Sequence, residues 1–123
     1  MKLLLIGIGG FIGAVLRYLV SGWAHQLFGE QFPYGTLAVN VLGSFILGLF
    51  LYLGEYRLMI APQYRQLAAI GILGAFTTFS TFSYETLALL QESLFRQAVL
   101  NVALNFGLGL LAVWGGMIAA KSI

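Results

Sequence analysis

The chain has no cysteine, no aspartate, one histidine and two prolines, and its charge is limited to six basic and four acidic side chains in 123 residues. Without cysteine there is no disulfide, no thiolate metal site and no thiol nucleophile. A Ser–His–Asp triad lacks its acid, and His25 alone leaves a histidine-based metal site without companions. The glycine-rich N-terminal run is not a phosphate loop, because no Gly-Lys-Ser/Thr follows it. The six basic residues are scattered and make no patch of the kind that nucleic acid needs. Charged residues make up 8% of the chain, against roughly 25% in soluble domains. A small globule leaves much of its chain area in water, and so few charges cannot wet that surface. The net charge of +2 rests on too few groups to identify a partner.

Hydrophobic residues make up 60% of the chain, and the mean hydropathy is +0.94. Uncharged stretches run from Leu3 to Leu16, Gln31 to Gly54, Gln66 to Tyr84 and Gln97 to Ala120. A helix needs about 20 apolar residues to cross a hydrocarbon core of about 30 Å. The last three stretches suffice alone, and the first does so if it continues through Arg17 to about Val20. A signal peptide is the competing reading of the N-terminus, and the missing small-residue cleavage site argues against it. The expectation is one all-α transmembrane domain over residues 1–123, with helices at about 3–22, 35–54, 66–90 and 96–120. Short loops join them, the first holding His25, Glu30 and Pro33.

With four spans both termini share a side. That side carries Lys2, Arg57, Arg65 and Lys121, against Arg17 and Arg96 on the other. This positive-inside bias is shallow. Four short helices enclose little space, so a pathway is expected between subunits. Transporter folds often join two inverted repeats across an axis in the membrane plane, and an antiparallel homodimer of one such module would build the same arrangement.

The chemistry-bearing features are polar or irregular positions within the apolar runs. In the first span Gly9 and Gly13 form a GxxxG pair, which permits close helix approach. Arg17 follows, either snorkelling to the interface or making an anion-attracting vestibule. In the second span Thr36, Asn40, Gly43 and Ser44 share a face, with Asn40 either bonding between helices or donating to an anion. The third span holds Gly71 and Gly74, then Thr77-Thr78-Phe79-Ser80-Thr81-Phe82. Threonine and glycine are poor helix formers and hydroxyls compete for backbone bonds, so a break is expected between Gly74 and Thr78. Broken backbone at that depth lines a polar cavity or is buried, and its carbonyls can hold a cation. Phe79 and Phe82 lie on nearly one face, where positive ring edges can favour an anion. The fourth span contributes Asn101 and Asn105, again as interhelical bonds or pathway lining.

The segments Gly10 to Tyr18, Gly35 to Phe45 and Gly71 to Ser83 with its TTFSTF run together resemble the Fluc/CrcB family of fluoride channels. The likeness extends along the chain in length, helix count and motif order. It implies an antiparallel, dual-topology homodimer in the cell (inner or plasma) membrane. Two narrow pathways along the subunit interface would passively export fluoride and protect the cell from it. By motif position, Asn40, Phe79, Ser80, Thr81, Phe82 and Asn105 would line the pathway, and Arg17 would sit near its vestibule. The Gly74 and Thr77 carbonyls would hold a structural sodium ion at the dimer centre. The fourth span departs from the family, which commonly has tyrosine where Asn101 stands and serine where Asn105 stands. Two rivals follow from the residues alone. A small dual-topology multidrug antiporter wants an acid buried in mid-membrane, where none of the four glutamates is expected. A non-conducting assembly subunit would use the same polar residues only to join helices.

Overall fold

A backbone in hydrocarbon must satisfy its own N–H and C=O groups, and a helix does so within one segment. The structure, a computed structural model, describes residues 1–123 and is all-helical. Helix α1 spans Lys2–Phe28 and α2 spans Tyr34–Glu55. The third span, Pro62–Gln91, is segmented. It comprises a single turn α3 (Pro62–Arg65), a π-helical stretch Gln66–Leu73, a short α4 (Gly74–Phe76) and α5 (Phe79–Gln91). Helix α6, Phe95–Lys121, is the fourth. Four spans of this length and apolarity make the chain a multi-pass membrane protein.

The bounds depart from expectation where local chemistry allows the helix to run on. Helix α1 passes through Gly22 and stops only at Gly29, whose φ of 97° is relaxed for glycine alone. His25 therefore sits in the last turn of α1 rather than in a loop, its Nδ1 3.3 Å from the Gly29 carbonyl oxygen. The third span starts at Pro62 because proline is compatible with a first helical turn, where its missing N–H is not needed.

Small residues bring the helices together. Helix α1 packs on the π-helical stretch and α4, and α2 packs mainly on α6. A Cβ on Gly9 would lie 2.9 Å from Gly71 Cα, and one on Gly13 would run into the Ile72 carbonyl. At the α2–α6 crossing, Gly48 faces the Val113 carbonyl and Gly116 faces that of Phe45. Only 20 of 123 residues are buried, and large side chains such as Phe11, Leu110 and Trp114 point outward. Those faces are stable against lipid tails or another subunit.

The break falls at Thr77 and Thr78, with φ/ψ of −86°/158° and −152°/122°. Both are β-branched residues in the extended region that suits them. The π-helical stretch above the break advances through i→i+5 bonding, so side-chain phase shifts between Arg65 and Gly74. Below it, Thr78 caps α5: its Oγ1 accepts from the Thr81 N–H at 3.2 Å.

Candidate functional site

Extended backbone inside a membrane needs partners, and the second span supplies them. The Thr78 N–H donates to Asn40 Oδ1 at 2.9 Å, and Asn40 Nδ2 donates to the Thr78 carbonyl at 3.1 Å. One carboxamide thus pairs with the freed N–H of Thr78 and adds a second bond to its carbonyl. The other Nδ2 hydrogen of Asn40 goes to Asn105 Oδ1 at 3.0 Å. Asn105 Nδ2 in turn donates to the Asn101 carbonyl at 2.8 Å and to Asn101 Oδ1 at 3.1 Å.

The break also frees two carbonyls. In an unbroken helix the Thr78 N–H would bond the Gly74 carbonyl and the Thr81 N–H that of Thr77. Here those donors turn to Asn40 and to Thr78 Oγ1. Both Gly74 and Thr77 border the same cavity. No group of three or more acidic, histidine or cysteine ligands exists that would bind a transition metal.

Two cavities meet at the break. One, about 310 Å³, is walled by Asn40, Ser44, Thr77, Thr78, Phe79, Phe82 and Asn105. The other, about 560 Å³, is walled by Arg17, Ser21, His25, Thr36, Thr78 and Thr81. Thr78, which carries a hydroxyl, borders both. That hydroxyl lies 3.2 Å from Thr81 Oγ1 and 3.4 Å from Ser80 Oγ, a chain of donors that can rotate. Neither wall contains a carboxylate, and Arg17 is the only full cation.

The paired rings are arranged unequally. Phe79 and Phe82 have centroids 5.6 Å apart at 57°, and Phe106 of α6 meets Phe82 edge-on at 6.0 Å and 78°. Phe82 is 7% exposed and Phe79 71% exposed. A large aromatic beside a polar cavity yet open on its outer side is what a face covered by a neighbouring subunit would show.

Asn40, Phe79, Phe82, Gly74, Thr77 and Asn105 therefore converge on one cavity, and Arg17 and Thr81 on the other. Ser80 borders neither and is exposed, touching the site only through Thr78. Sequence reasoning assigned no separate role to Thr78, the residue common to the two cavities, and did not find Phe106 or Thr86. The doubled threonine was the available signal for Thr78. Phe106 and Thr86 carry no local signal, because their places depend on helix rotation.

The family model described as CrcB-like protein, Camphor Resistance (CrcB), matches residues 4–117. A protein of Methanosarcina acetivorans named fluoride-specific ion channel FluC 1 is 51% identical over 121 residues, covering 98% of this chain and 92% of its own. One of Shewanella baltica named fluoride-specific ion channel FluC is 55% identical over 115 residues, covering 94% of this chain and 92% of its own. A Shewanella frigidimarina protein of the same name is 55% identical over the same length. With the family model matched over nearly the whole chain and relatives this similar, the chain belongs to the CrcB family.

Proposed function

We propose that the chain is a passive, fluoride-selective channel that carries fluoride out of the cytoplasm and protects the cell from its accumulation. The observation that carries this reading is a pair of cavities joined at a helix break and walled by amide, hydroxyl and ring-edge donors. Fluoride is small and strongly hydrated, so each step needs donors in place of water that bind it without trapping it. Fixed cations along the route would hold the ion. Here the only one is Arg17, in the wider cavity, where it raises the local anion concentration.

In this reading fluoride enters past Arg17 and moves from the hydroxyl of Thr81 to that of Thr78, which the Ser80 hydroxyl joins from the exposed side. It then passes Asn40, the edges of Phe79 and Phe82, and Asn105. At Asn40 it competes with Asn105 Oδ1 for one N–H, an exchange of one acceptor for another. Removal of water is shared among several partial charges, which keeps the path shallow in energy. The drug-antiporter alternative lacks the carboxylate it requires in either cavity wall.

The exposed side of Phe79 and the shallow charge bias support an antiparallel homodimer of dual topology, with one pathway along each side of the interface. The released Gly74 and Thr77 carbonyls suit a structural sodium ion, because uncharged oxygen donors match a hard cation. Two from each subunit would hold it at the dimer centre, where it would add a fixed positive charge between the two breaks.

The test is efflux from liposomes carrying the purified protein, followed with a fluoride electrode and, in parallel, with a chloride electrode. Fluoride release without an imposed proton gradient, and with chloride retained, is the expected result. Vesicles that hold their fluoride would leave the chain as an assembly subunit and overturn the reading.

A further inference from the structure

All three asparagines of the chain lie in one connected hydrogen-bond network, which is more than a channel lining requires. Its direction can be traced. The Thr78 N–H donates to Asn40 Oδ1 at 2.9 Å, and Asn40 Nδ2 donates to Asn105 Oδ1 at 3.0 Å. Asn105 Nδ2 donates to Asn101 Oδ1 at 3.1 Å, and Asn101 Nδ2 to Thr86 Oγ1 at 2.9 Å. The Thr86 hydroxyl finally donates to the Phe82 carbonyl at 2.8 Å. Every link points the same way, so each polarises the next.

Both ends of this relay are main-chain groups, and they set the orientation of everything between. A peptide N–H can only donate, so Asn40 must turn its oxygen to that of Thr78, and its Nδ2 gives one hydrogen to the Thr78 carbonyl and the other to Asn105. Asn105 must then present oxygen to Asn40 and nitrogen to Asn101. At the far end the Thr86 hydroxyl gives its proton to the Phe82 carbonyl, which leaves the Thr86 oxygen to accept from Asn101. Asn101 is fully buried, and neither Asn101 nor Thr86 borders either cavity.

We propose that Asn101 and Thr86 are positioning residues for the ion pathway, acting through Asn105 to hold the carboxamide of Asn40 in its working orientation. The proposal rests on the fluoride-channel reading and deepens it. Neither residue touches the ion. Simple helix-to-helix bonding would be satisfied by any set of partners, whereas this relay begins at the broken peptide and ends on the backbone of the inner ring. Once its last link is cut, Asn101 Nδ2 has no acceptor, and the Asn101 amide is free to turn and withdraw its oxygen from Asn105. Asn105 Nδ2 then keeps only the Asn101 carbonyl, and the hold of Asn105 on the Asn40 amide loosens.

The cleanest cut is Thr86→Val, which removes the hydroxyl and keeps the branched shape, compared with Thr86→Ser, which keeps the hydroxyl. Fluoride efflux from liposomes is measured alongside the side-chain amide ¹⁵N resonances of asparagine-labelled protein in the same bilayers. Thr86→Val is expected to slow fluoride release by about three- to tenfold, as one lost hydrogen bond would, and Thr86→Ser to restore it. Thr86→Val is also expected to move the Asn40 resonance, three links away. An unmoved Asn40 resonance overturns the proposal, as do unchanged efflux in Thr86→Val or equal slowing in Thr86→Ser. If Thr86→Val does not elute as the wild type does, Asn101→Ala cuts the preceding link and is judged by the same two readouts. Absence of fluoride flux in the wild type would instead overturn the channel reading, a separate result from the behaviour of the Asn40 resonance.

Discussion

Two neighbouring rings of α5 on the smaller cavity do different work. Phe82 is held between Phe79 and Phe106, so its edge direction is fixed, whereas Phe79 owes its position to whatever covers its open side. Replacing either ring with isoleucine keeps the apolar bulk and removes the positive edge. Phe79→Ile and Phe82→Ile are each expected to slow fluoride efflux by at least about tenfold, about 1.4 kcal/mol of barrier, with the oligomer unchanged on size exclusion. Unaltered efflux in both would remove the rings from the mechanism. Asn40 is a different case, since it also completes the backbone. Asn40→Leu strands the N–H of Thr78 and leaves the oxygen of Asn105 without its donor. At about 1–3 kcal/mol for each buried group left unpaired, it is expected to lower thermal stability as well as flux. A thermal melt in detergent with the midpoint of the wild type would show that Asn40 does not hold the break.

At the scale of elements, the third span is stable as a broken rod because α1 supports it from behind. That support depends on glycine at the contact. A methyl on Gly13 would meet the Ile72 backbone, which cannot swing aside, while one on Gly7 meets nothing within 4 Å. Gly13→Ala is expected to cost about 1–3 kcal/mol through overpacking and to shift the melting midpoint down, with Gly7→Ala close to neutral. Equal midpoints for the two variants would mean that α1 yields at no cost. The break itself was legible in the sequence, because Thr77-Thr78 after Gly74 combines poor helix formers with competing hydroxyls. So were the four spans, from uncharged length alone, and the shared face of Asn40 and Ser44 on the cavity wall. The continuation of α1 past Gly22 was not legible, since nothing from Trp23 to Phe28 distinguishes a helix end from a loop. Nor was the partner of each asparagine. These spans are apolar on nearly every side, so the sequence carries little contrast to report which way a helix is rotated. The four-residue spacing of Asn101 and Asn105 put them on one face but could not say that the face meets Asn40 on one side and Thr86 on the other.

For the molecule as a whole, orientation in the membrane follows from very few charges. Arg57 Nη2 lies 3.2 Å from the Ile123 carbonyl oxygen, and the Lys121 ammonium lies 5.7 Å from the Tyr52 ring centre. The loop after α2 and the C-terminus therefore share one end, as an even number of spans requires. The basic residues assigned to that end outnumber those assigned to the other by four to two. So small an excess is what the antiparallel dimer proposed above requires, since that dimer needs insertion in both directions. The lack of native cysteine supplies the test, since a single introduced thiol is unique. Ser122→Cys is expected to react with a membrane-impermeant thiol reagent on intact cells in about half of the molecules, because a weak bias populates both orientations. Complete protection, or complete labelling, would leave one orientation and exclude dual topology. Biasing the charge then extends the argument from topology to function. Replacing Arg17 and Arg96 by glutamine should commit the termini to the cytoplasm, and replacing Lys2, Arg57, Arg65 and Lys121 by glutamine should commit them outward. Because Arg17 also lines the wider cavity, Arg96→Gln alone, combined with added lysines after Arg57, is the better form of the first variant. Expressed singly, each biased chain is expected to lose most fluoride efflux for want of an opposed partner, and co-expression to return it. If a singly biased chain conducts as well as the wild type, the pathway needs no antiparallel partner.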